Sequence, residues 1–235
     1  MSEFDRSASS YGQVVGQAVA FSGQEHAFFL RVKADILAGM LARQGLAGRA
    51  TMLDVGCGVG LMDAMLGPHC GSLTGVDVSS ASLDMARTNC PDGDFRHYDG
   101  QRLPFPEQTF DLTFTVCVMH HVPPADWPGF VREMARVTRP GGLVVVMEHN
   151  PYNPLTRYVV SRVPFDKDAV LLRPGRTRAL LREACLERLE VRHFLFTPLG
   201  HALARRFDNL LAWLPLGAQY LACGRVPASG ATGAK

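Results

Sequence analysis

The sequence lacks the features that would place a protein in a membrane or on nucleic acid. Its longest apolar run of strand type, LVVVM at 143–147, is far too short to span a bilayer. Acidic and basic residues nearly balance, and the formal net charge of +2 gives no argument for a nucleic-acid partner. Lysine is scarce and occurs only at Lys33, Lys167 and Lys235. We therefore expect neither a membrane span nor a nucleic-acid partner.

The cysteines form no pattern that is typical of a metal site. There are six, without a C-x-x-C pair or a zinc-type spacing, and several lie in apolar runs where cysteine behaves as a small hydrophobic residue. The stretch MSEFDRSASS at the N-terminus has acids where a secretory signal has basic and then apolar residues. We expect a soluble protein of the reducing cytoplasm, with no bound metal.

The length of 235 residues, 47% of them hydrophobic, suits one domain with a well-buried core. The ends are rich in Ser, Gly and Ala and predict disordered tails. The predicted parts are an N-terminal helical segment at 1–45 with its tail at 1–10, a core at 46–149, a cap with the C-terminal part of the same domain at 150–226, and a second tail at 227–235.

An alternation of strands and helices predicts the fold class. Phe29, Val32, Ile36 and Met40 share one face of a helix over 24–44. After it come the strand-like runs TMLDVG, SLTGVDV, DFRHYD, DLTFTVCVM and GLVVVMEH, separated by helical stretches at 59–66, 80–89 and 126–138. The fourth and fifth runs are apolar on both faces, as in a sheet covered by helices on each side. We expect a doubly wound α/β sheet, with a turn at RPGG before the fifth strand.

The regular alternation stops after His149. The stretch from 150 to 172 has three prolines and no clean period, so it predicts a loop or cap inserted at the edge of the sheet. Further elements are expected in the order helix, strand, helix, strand, at 174–185, 189–196, 198–211 and 218–226.

Three glycines follow the first strand directly, at Gly56, Gly58 and Gly60. In an open α/β sheet this position faces the ligand, and bare backbone there lets a ligand approach closely. A dinucleotide would need G-x-G-x-x-G, but the third glycine comes one residue early and Leu61 stands in its place. The loop therefore fits a dinucleotide poorly.

The stretch LDVGCGVG resembles the first motif of the class I S-adenosylmethionine-dependent methyltransferases. Four further stretches follow in the family's order, LTGVDVS, HYDGQRLPFPEQTFD, FTVCVMHHV and MARVTRPGGLVVVME, and the resemblance covers about 50–150. It is strongest to the type 11-like branch that acts on small molecules, which includes quinone-type C-methyltransferases. The resemblance implies a Rossmann-like sheet of seven strands with the last antiparallel, and the N-terminal helix as a lid over the cofactor. Core packing alone is the other interpretation of that helix.

The resemblance also implies S-adenosylmethionine as cofactor and assigns residues to it. Asp77 would bind the ribose hydroxyls, with a helix N-cap as its alternative role, and Asp99 would bind the adenine amino group, with a turn as its alternative. One departure is that Cys185 stands where the family has the glycine of Ala-Gly-Phe, which indicates a different or misplaced helix end. The predicted cofactor-binding residues are Asp54, Gly56, Cys57, Gly58, Gly60, Asp77, Val78, Asp99, Gly100 and Cys117.

Four side chains near the strand ends are candidates for catalysis: His120, His121, Glu148 and His149. Adjacent residues point different ways, so at most one histidine of the first pair is expected to face the cofactor. The alternatives are a structural hydrogen-bonding role for the histidine pair, pairing with an arginine for Glu148, and a cap on the following turn for His149. A metal site at the pair is not expected, because no third ligand has a convincing spacing.

The acceptor is not named by any motif. Imidazole and carboxyl groups at the strand ends favour O-methylation of a small-molecule hydroxyl, and N- or C-methylation, a macromolecular acceptor and a non-catalytic regulatory protein remain alternatives. The N/D-P-P-Y-type motif of enzymes that methylate amines of macromolecules is absent after strand four. Ten arginines and one lysine at 157–206 face five acids, which indicates a solvated surface or a cap for an anionic acceptor. A monomer and a homodimer are equally compatible with the sequence.

Overall fold

A computed structural model describes residues 24–197 and 210–228, together with 16, 17 and 208. The predicted helix at 198–211 lies mostly outside these residues, as do the predicted tails at 1–10 and 229–235. The proposed division of the chain into segments stays a prediction. Among the described helices, none is long and apolar enough to cross a membrane.

Seven strands form one sheet in the order β3-β2-β1-β4-β5-β7-β6, and β7 runs antiparallel to both of its neighbours. This confirms the predicted Rossmann-like sheet. Every one of the five strand-like runs of the first half forms a strand. The strands are β1 Thr51–Val55, β2 Ser72–Asp77, β3 Asp94–His97, β4 Phe110–Val116, β5 Thr138–His149, β6 Glu187–Phe194 and β7 Gln219–Arg225.

Strand order reverses between β1 and β4, which pair in parallel with Leu53 opposite Thr113. From β1 the chain proceeds outward to β2 and β3, then returns to β4 on the other side. Ligands of open α/β sheets bind outside the carboxyl ends of the strands at such a reversal. The fold therefore places the glycine loop and the residues after β4 at one site.

Six α-helices accompany the sheet within the described residues. The helix after β2 has the predicted bounds, and the cap contains a short helix where only an insertion was expected. The helix after β2, Ser80–Asn89, is capped by Ser79, whose side chain accepts a hydrogen bond from the Ser82 amide at 3.1 Å. The helices are α1 His26–Arg43, α2 Leu61–Leu66, α3 Ser80–Asn89, α4 Trp127–Val137, α5 Pro154–Val160 and α6 Pro174–Glu183.

The buried face of α1 differs by one residue from the predicted face. Leu37 and Leu41 are fully buried at its centre, whereas Val32 and Ile36 are only partly buried at its margin. Met40 is buried as predicted, but the prediction was wrong for the other three residues, because apolar residues are so frequent in this helix that two adjacent stripes have the same period. The helix packs on the side of the sheet that holds Phe114 and Met147.

The stretch RPGG forms no separate turn before β5. It belongs to the strand itself, which runs from Thr138 without a break, and the pairing of β4 with β5 shifts in register between Phe110 and Leu112. A Cβ on Gly142 would lie 2.8 Å from the carbonyl oxygen of Asp111, so a side chain does not fit at this bulge. The expected turn is therefore a local irregularity within a long strand.

The end of α6 corrects the expectation for Cys185. This residue has a φ of 59°, the left-handed conformation that glycine adopts at a helix end, and the Leu186 amide donates to the Leu181 carbonyl at 3.1 Å. The helix end is therefore not misplaced, and a cysteine occupies the left-handed position in which glycine would be unstrained.

Replacing Cys185 by glycine is expected to raise the free energy of unfolding by about 1 kcal/mol, because an L-residue is strained in this conformation. Urea denaturation of the two proteins measures the difference. Cys185→Ser is the matched control, since it removes the thiol and keeps the strain. Equal midpoints for the Gly and Ser variants would contradict the assignment of strain to this residue.

Candidate active site

A cleft of about 310 Å³ opens at the carboxyl ends of β1 and β4. Its volume lies at the lower end of the range for small-molecule sites. Of the ten predicted cofactor-binding residues, eight line it, and Gly60 and Asp99 do not. Apolar side chains from α1 and from the segment after β4 complete the wall. The predicted residues that line the cleft are Asp54, Gly56, Cys57, Gly58, Asp77, Val78, Gly100 and Cys117.

Gly60 and Gly58 require glycine for different structural reasons. A Cβ on Gly60 would lie 2.9 Å from Ala86, so this glycine lets α2 and α3 approach closely. Gly58 has a φ of 53°, and no atom lies within 4 Å of the position that its Cβ would take. The backbone at Gly58 is thus bare toward the cleft, and it is here that a ligand can touch the main chain.

Asp77 is held in the cleft by two backbone amides. Its Oδ2 accepts from the Gly58 amide at 2.9 Å and its Oδ1 from the Ser79 amide at 2.8 Å. The cap of α3 is the side chain of Ser79, so Asp77 does not have the N-cap role that was its alternative. Its carboxylate is pre-oriented, which suits bidentate binding of two vicinal hydroxyls.

Asp54 lies deeper in the cleft and has an Oδ1 with no hydrogen-bond partner among the described residues. Burial, followed by the negative charges of Asp63 and Asp77, raises the pKa of Asp54 well above its ordinary value. A cationic group of a ligand would offset both effects. This orphaned oxygen and the bare loop fit the ammonium and amino-acid part of S-adenosylmethionine.

Asp99 does not line the cleft. It is exposed and accepts hydrogen bonds from the amides of Gln101 and Arg102 at 2.8 and 2.9 Å, which is the turn that was its alternative role. Its neighbours Tyr98 and Gly100 do line the cleft. A contact of Asp99 with adenine stays a prediction.

Cys117 lies at the end of β4 with a φ of 56°. Its thiol accepts from the Lys33 ammonium and from the Gln219 amide nitrogen, each at 3.7 Å. Burial raises the pKa of the thiol, so it is a neutral part of the wall and no nucleophile.

Glu148 and His120 form a fully buried pair behind the cleft. The Glu148 carboxylate accepts from the Met119 amide at 2.8 Å and from His120 Nδ1 at 2.7 Å. Burial alone would lower the pKa of His120, but the negative charge of Glu148 and the contact with Asp166 outweigh it and raise this pKa to about 10. Neither side chain lines the cleft, so their geometry favours a role in positioning over contact with a substrate.

His121 is the one predicted catalytic residue that lines the cleft. Its Nε2 lies 3.3 Å from Asp166 Oδ1, and His120 Nε2 lies 3.5 Å from the same oxygen. Burial alone would raise the pKa of Asp166, but its contacts with the two imidazoles outweigh this and hold the pKa low. Asp166 belongs to the cap and has no motif around it, so sequence reasoning missed it.

His149 is half-buried at the end of β5 and does not line the cleft. Its Nδ1 lies 3.4 Å from Gln219 Nε2, and its ring centre lies 5.2 Å from that of His120. Burial, followed by the positive charge of His120, lowers the pKa of His149 to about 4. It is a neutral neighbour of the cluster, and its catalytic role stays a prediction.

The first turn of α1 closes one side of the cleft through His26 and Leu30. Leu30 is also part of the core, so the helix combines core packing with coverage of the cleft. Burial lowers the pKa of His26 to about 4, which makes this side of the wall neutral. Core packing is therefore confirmed for the described part of this helix, and its role as a lid over the cofactor stays a prediction.

Replacing Asp77 by asparagine is expected to weaken S-adenosylmethionine binding by about tenfold to a hundredfold, because hydrogen bonds to a charged group contribute about 1.5–3 kcal/mol. Calorimetric titration of the wild type and the variant measures the change. Asp99→Asn is the matched control and should bind within about twofold of the wild type if its carboxylate only makes the turn. Equal losses in both variants would contradict the geometry.

Comparison with known proteins gives a consistent result. The family described as "Methyltransferase domain" matches residues 53–146. A "Ubiquinone biosynthesis O-methyltransferase" from Pseudomonas paraeruginosa is 30% identical over an alignment of 175 residues that covers 67% of this chain and 72% of that protein. A "2-methyl-6-phytyl-1,4-hydroquinone methyltransferase" from Synechocystis is 33% identical over an alignment of 129 residues that covers 52% of this chain. The chain spans only 40% of the length of that second relative.

Solved structures agree on the fold. An S-adenosylmethionine-dependent methyltransferase from Thermotoga maritima superposes with a TM-score of 0.67 at 18% identity. The superposition covers 94% of this chain and 97% of the other. At that identity the likeness establishes the fold alone.

Proposed function

We propose, from the premise that this chain belongs to the class I S-adenosylmethionine-dependent methyltransferases, that it methylates a hydroxyl of a small molecule. The observation that carries the proposal is the imidazole of His121 in the wall of the cleft, backed by the carboxylate of Asp166. A hydroxyl must lose its proton at or before attack on the methyl carbon, whereas an amine or an activated carbon demands less of the protein.

The residues of the cleft suit the cofactor of this family, which supplies a methyl group activated by its sulfonium. Asp77 would bind the ribose hydroxyls, and Asp54 would bind the ammonium. Gly58 would let the amino-acid part lie against the backbone. These contacts would fix the direction of the methyl group, and alignment of the reacting atoms supplies much of the acceleration in such transfers.

The other residues that line the cleft indicate the class of acceptor. Leu30, Val118 and Val122 are apolar, and they line the cleft with His121 as a polar group among them. A planar, largely apolar molecule with one reacting hydroxyl fits such a surface. The relatives named for quinones and hydroquinones support the same class, so we propose a phenol or hydroquinone as acceptor.

Incubation with isotopically labelled S-adenosylmethionine and a panel of phenols, hydroquinones, amines and carboxylic acids tests the proposal. We expect a methoxy product, identified by mass spectrometry and NMR. The variant His121→Gln should lower kcat by about 10²- to 10⁴-fold. The exposed His69→Gln serves as control and should leave kcat unchanged. A C-methyl or N-methyl product, or full activity without His121, would contradict O-methylation by this residue.

A further inference from the structure

Three side chains beside the cleft bring metal-ligating atoms together. The imidazoles of His120 and His121 and the carboxylate of Asp166 each offer one atom, and these atoms all lie within 4.8 Å of one another. His120 and Asp166 are buried, while His121 reaches the cleft. The expectation that the histidine pair lacks a third ligand is therefore wrong, because the cap supplies Asp166.

The distances within this cluster are unusual for hydrogen bonds. The two imidazole nitrogens lie 3.5 and 3.3 Å from Asp166 Oδ1, whereas hydrogen bonds between charged groups are about 2.7–2.9 Å long. Asp166 is only 7% exposed, and its Oδ1 has no hydrogen bond of good geometry among the described residues. This buried oxygen is held by two long ion-pair contacts and can accept a stronger partner.

The spacing decides what that partner can be. Two atoms that bond to one central water at about 2.8 Å lie about 4.6 Å apart in tetrahedral geometry, which is farther than either imidazole nitrogen lies from Asp166 Oδ1. Two ligands of a tetrahedral metal at about 2.1 Å lie about 3.4 Å apart. The observed 3.3 and 3.5 Å match the edge of a metal site.

The surroundings of the three side chains are those of a metal ligand set. His120 donates from Nδ1 to Glu148 at 2.7 Å, which fixes its ring and directs Nε2 toward Asp166. The Val170 amide donates to the His120 carbonyl at 2.8 Å and ties the cap to this turn. Lys33 donates to Cys117 and forms no ion pair with either carboxylate among the described residues, so the two imidazoles are the basic groups that face Glu148 and Asp166.

We propose that His120 Nε2, His121 Nε2 and Asp166 Oδ1 bind one divalent transition-metal ion of the Zn²⁺ type. Two imidazoles and one carboxylate are a ligand set for such ions, and three protein ligands leave a position open. Since His121 lines the cleft, we expect the open position to be reached from it. Binding displaces the proton from His120 Nε2, and this proton is released to solvent.

The metal site has a consequence that rests on the proposed function. A cation at this position would favour the ionised form of an acceptor hydroxyl in the adjoining cleft, so the cluster would act through the metal where His121 alone would act as a base.

Metal titration without cofactor or acceptor tests the site by itself. The protein carries Cys185→Ser to remove the exposed thiol, is freed of metal with a chelator, and is titrated with Co²⁺ followed by Zn²⁺. We expect one equivalent of Co²⁺ with visible d–d absorption of tetrahedral type, displaced by Zn²⁺. Asp166→Asn and His121→Gln should each weaken binding by at least about 100-fold, and Glu148→Gln by about 10- to 100-fold.

The control variant His69→Gln should bind Co²⁺ as the wild type does. Ring ¹⁵N shifts of His120 and His121 on addition of Zn²⁺ give a second readout that needs no variant. Absence of stoichiometric binding, or equal binding in Asp166→Asn, would overturn the metal site. Methyl transfer in the presence of a chelator would then still support O-methylation through His121. The two proposals can therefore fail separately.

Discussion

Replacing Glu148 by alanine is expected to lower the free energy of unfolding by about 3–5 kcal/mol, because removing one partner of a buried pair leaves the other charge uncompensated. Glu148 is fully buried, and the two shortest of its hydrogen bonds, at 2.8 and 2.7 Å, satisfy the Met119 amide and His120 Nδ1. Both groups would lose their partner in the variant. Chemical denaturation at neutral pH measures the change.

Glu148→Gln is the matched control for this prediction. The amide keeps the volume and can still accept from the Met119 amide, but it removes the negative charge beside His120. We expect a smaller loss, about 1.5–3 kcal/mol, which is the contribution of hydrogen bonds to charged groups. An alanine variant as stable as the wild type would mean that the pair is not formed in solution.

Replacing Asp63 by asparagine is expected to remove a pH dependence of stability. Asp63 is fully buried on α2, and neither of its carboxylate oxygens has a partner among the described residues. Burying two anions side by side is unfavourable, so we expect Asp63 to keep a proton in the folded protein beside Asp54. Burial raises the pKa of Asp63 to about 7.

The sign of the effect follows from this raised pKa. The folded protein keeps a proton on Asp63 that the unfolded chain releases near pH 4. The stabilisation from this proton is complete below pH 4 and is lost as the pH rises to 7. Between pH 5 and 7 the wild type should lose about 1.4 kcal/mol per pH unit relative to Asp63→Asn. Denaturation at several pH values measures the slope.

The exposed Asp84→Asn is the control for Asp63, since its side chain is 78% exposed and its charge is screened. Its stability should follow the wild type at every pH within about 0.5 kcal/mol. If Asp63→Asn also followed the wild type, Asp63 would not hold a proton in the folded protein at these pH values.

The parts of the fold that depend on local signals could be predicted from the sequence. The runs around Phe114 and Val145 are apolar on both faces, which favours strands that are buried on both sides of a sheet. The face of α1 could not be predicted, since the choice between Leu37 and Ile36 depends on which neighbour the helix meets. The bulge at RPGG likewise depends on the close approach of the Asp111 carbonyl to Gly142 across the sheet, where a side chain would clash.

Part of the candidate site could likewise be predicted from the sequence, and part of it could not. The glycine loop and Asp77 are joined by the hydrogen bond from Gly58, and both carry family motifs, so sequence reasoning brought them together. Asp166 has no such signal. It reaches the histidine pair only because the cap folds back over the end of β4, and a single acid in an irregular segment carries no period or spacing that reveals its partner.

The central claim is that the cleft binds S-adenosylmethionine for methyl transfer, and calorimetric titration of the full chain with S-adenosylmethionine, S-adenosylhomocysteine and NAD tests it most directly. We predict micromolar binding of both sulfur compounds, one per chain, weakened by Asp77→Asn, and no heat from NAD. Binding of NAD alone, or of none of the three, would contradict the account.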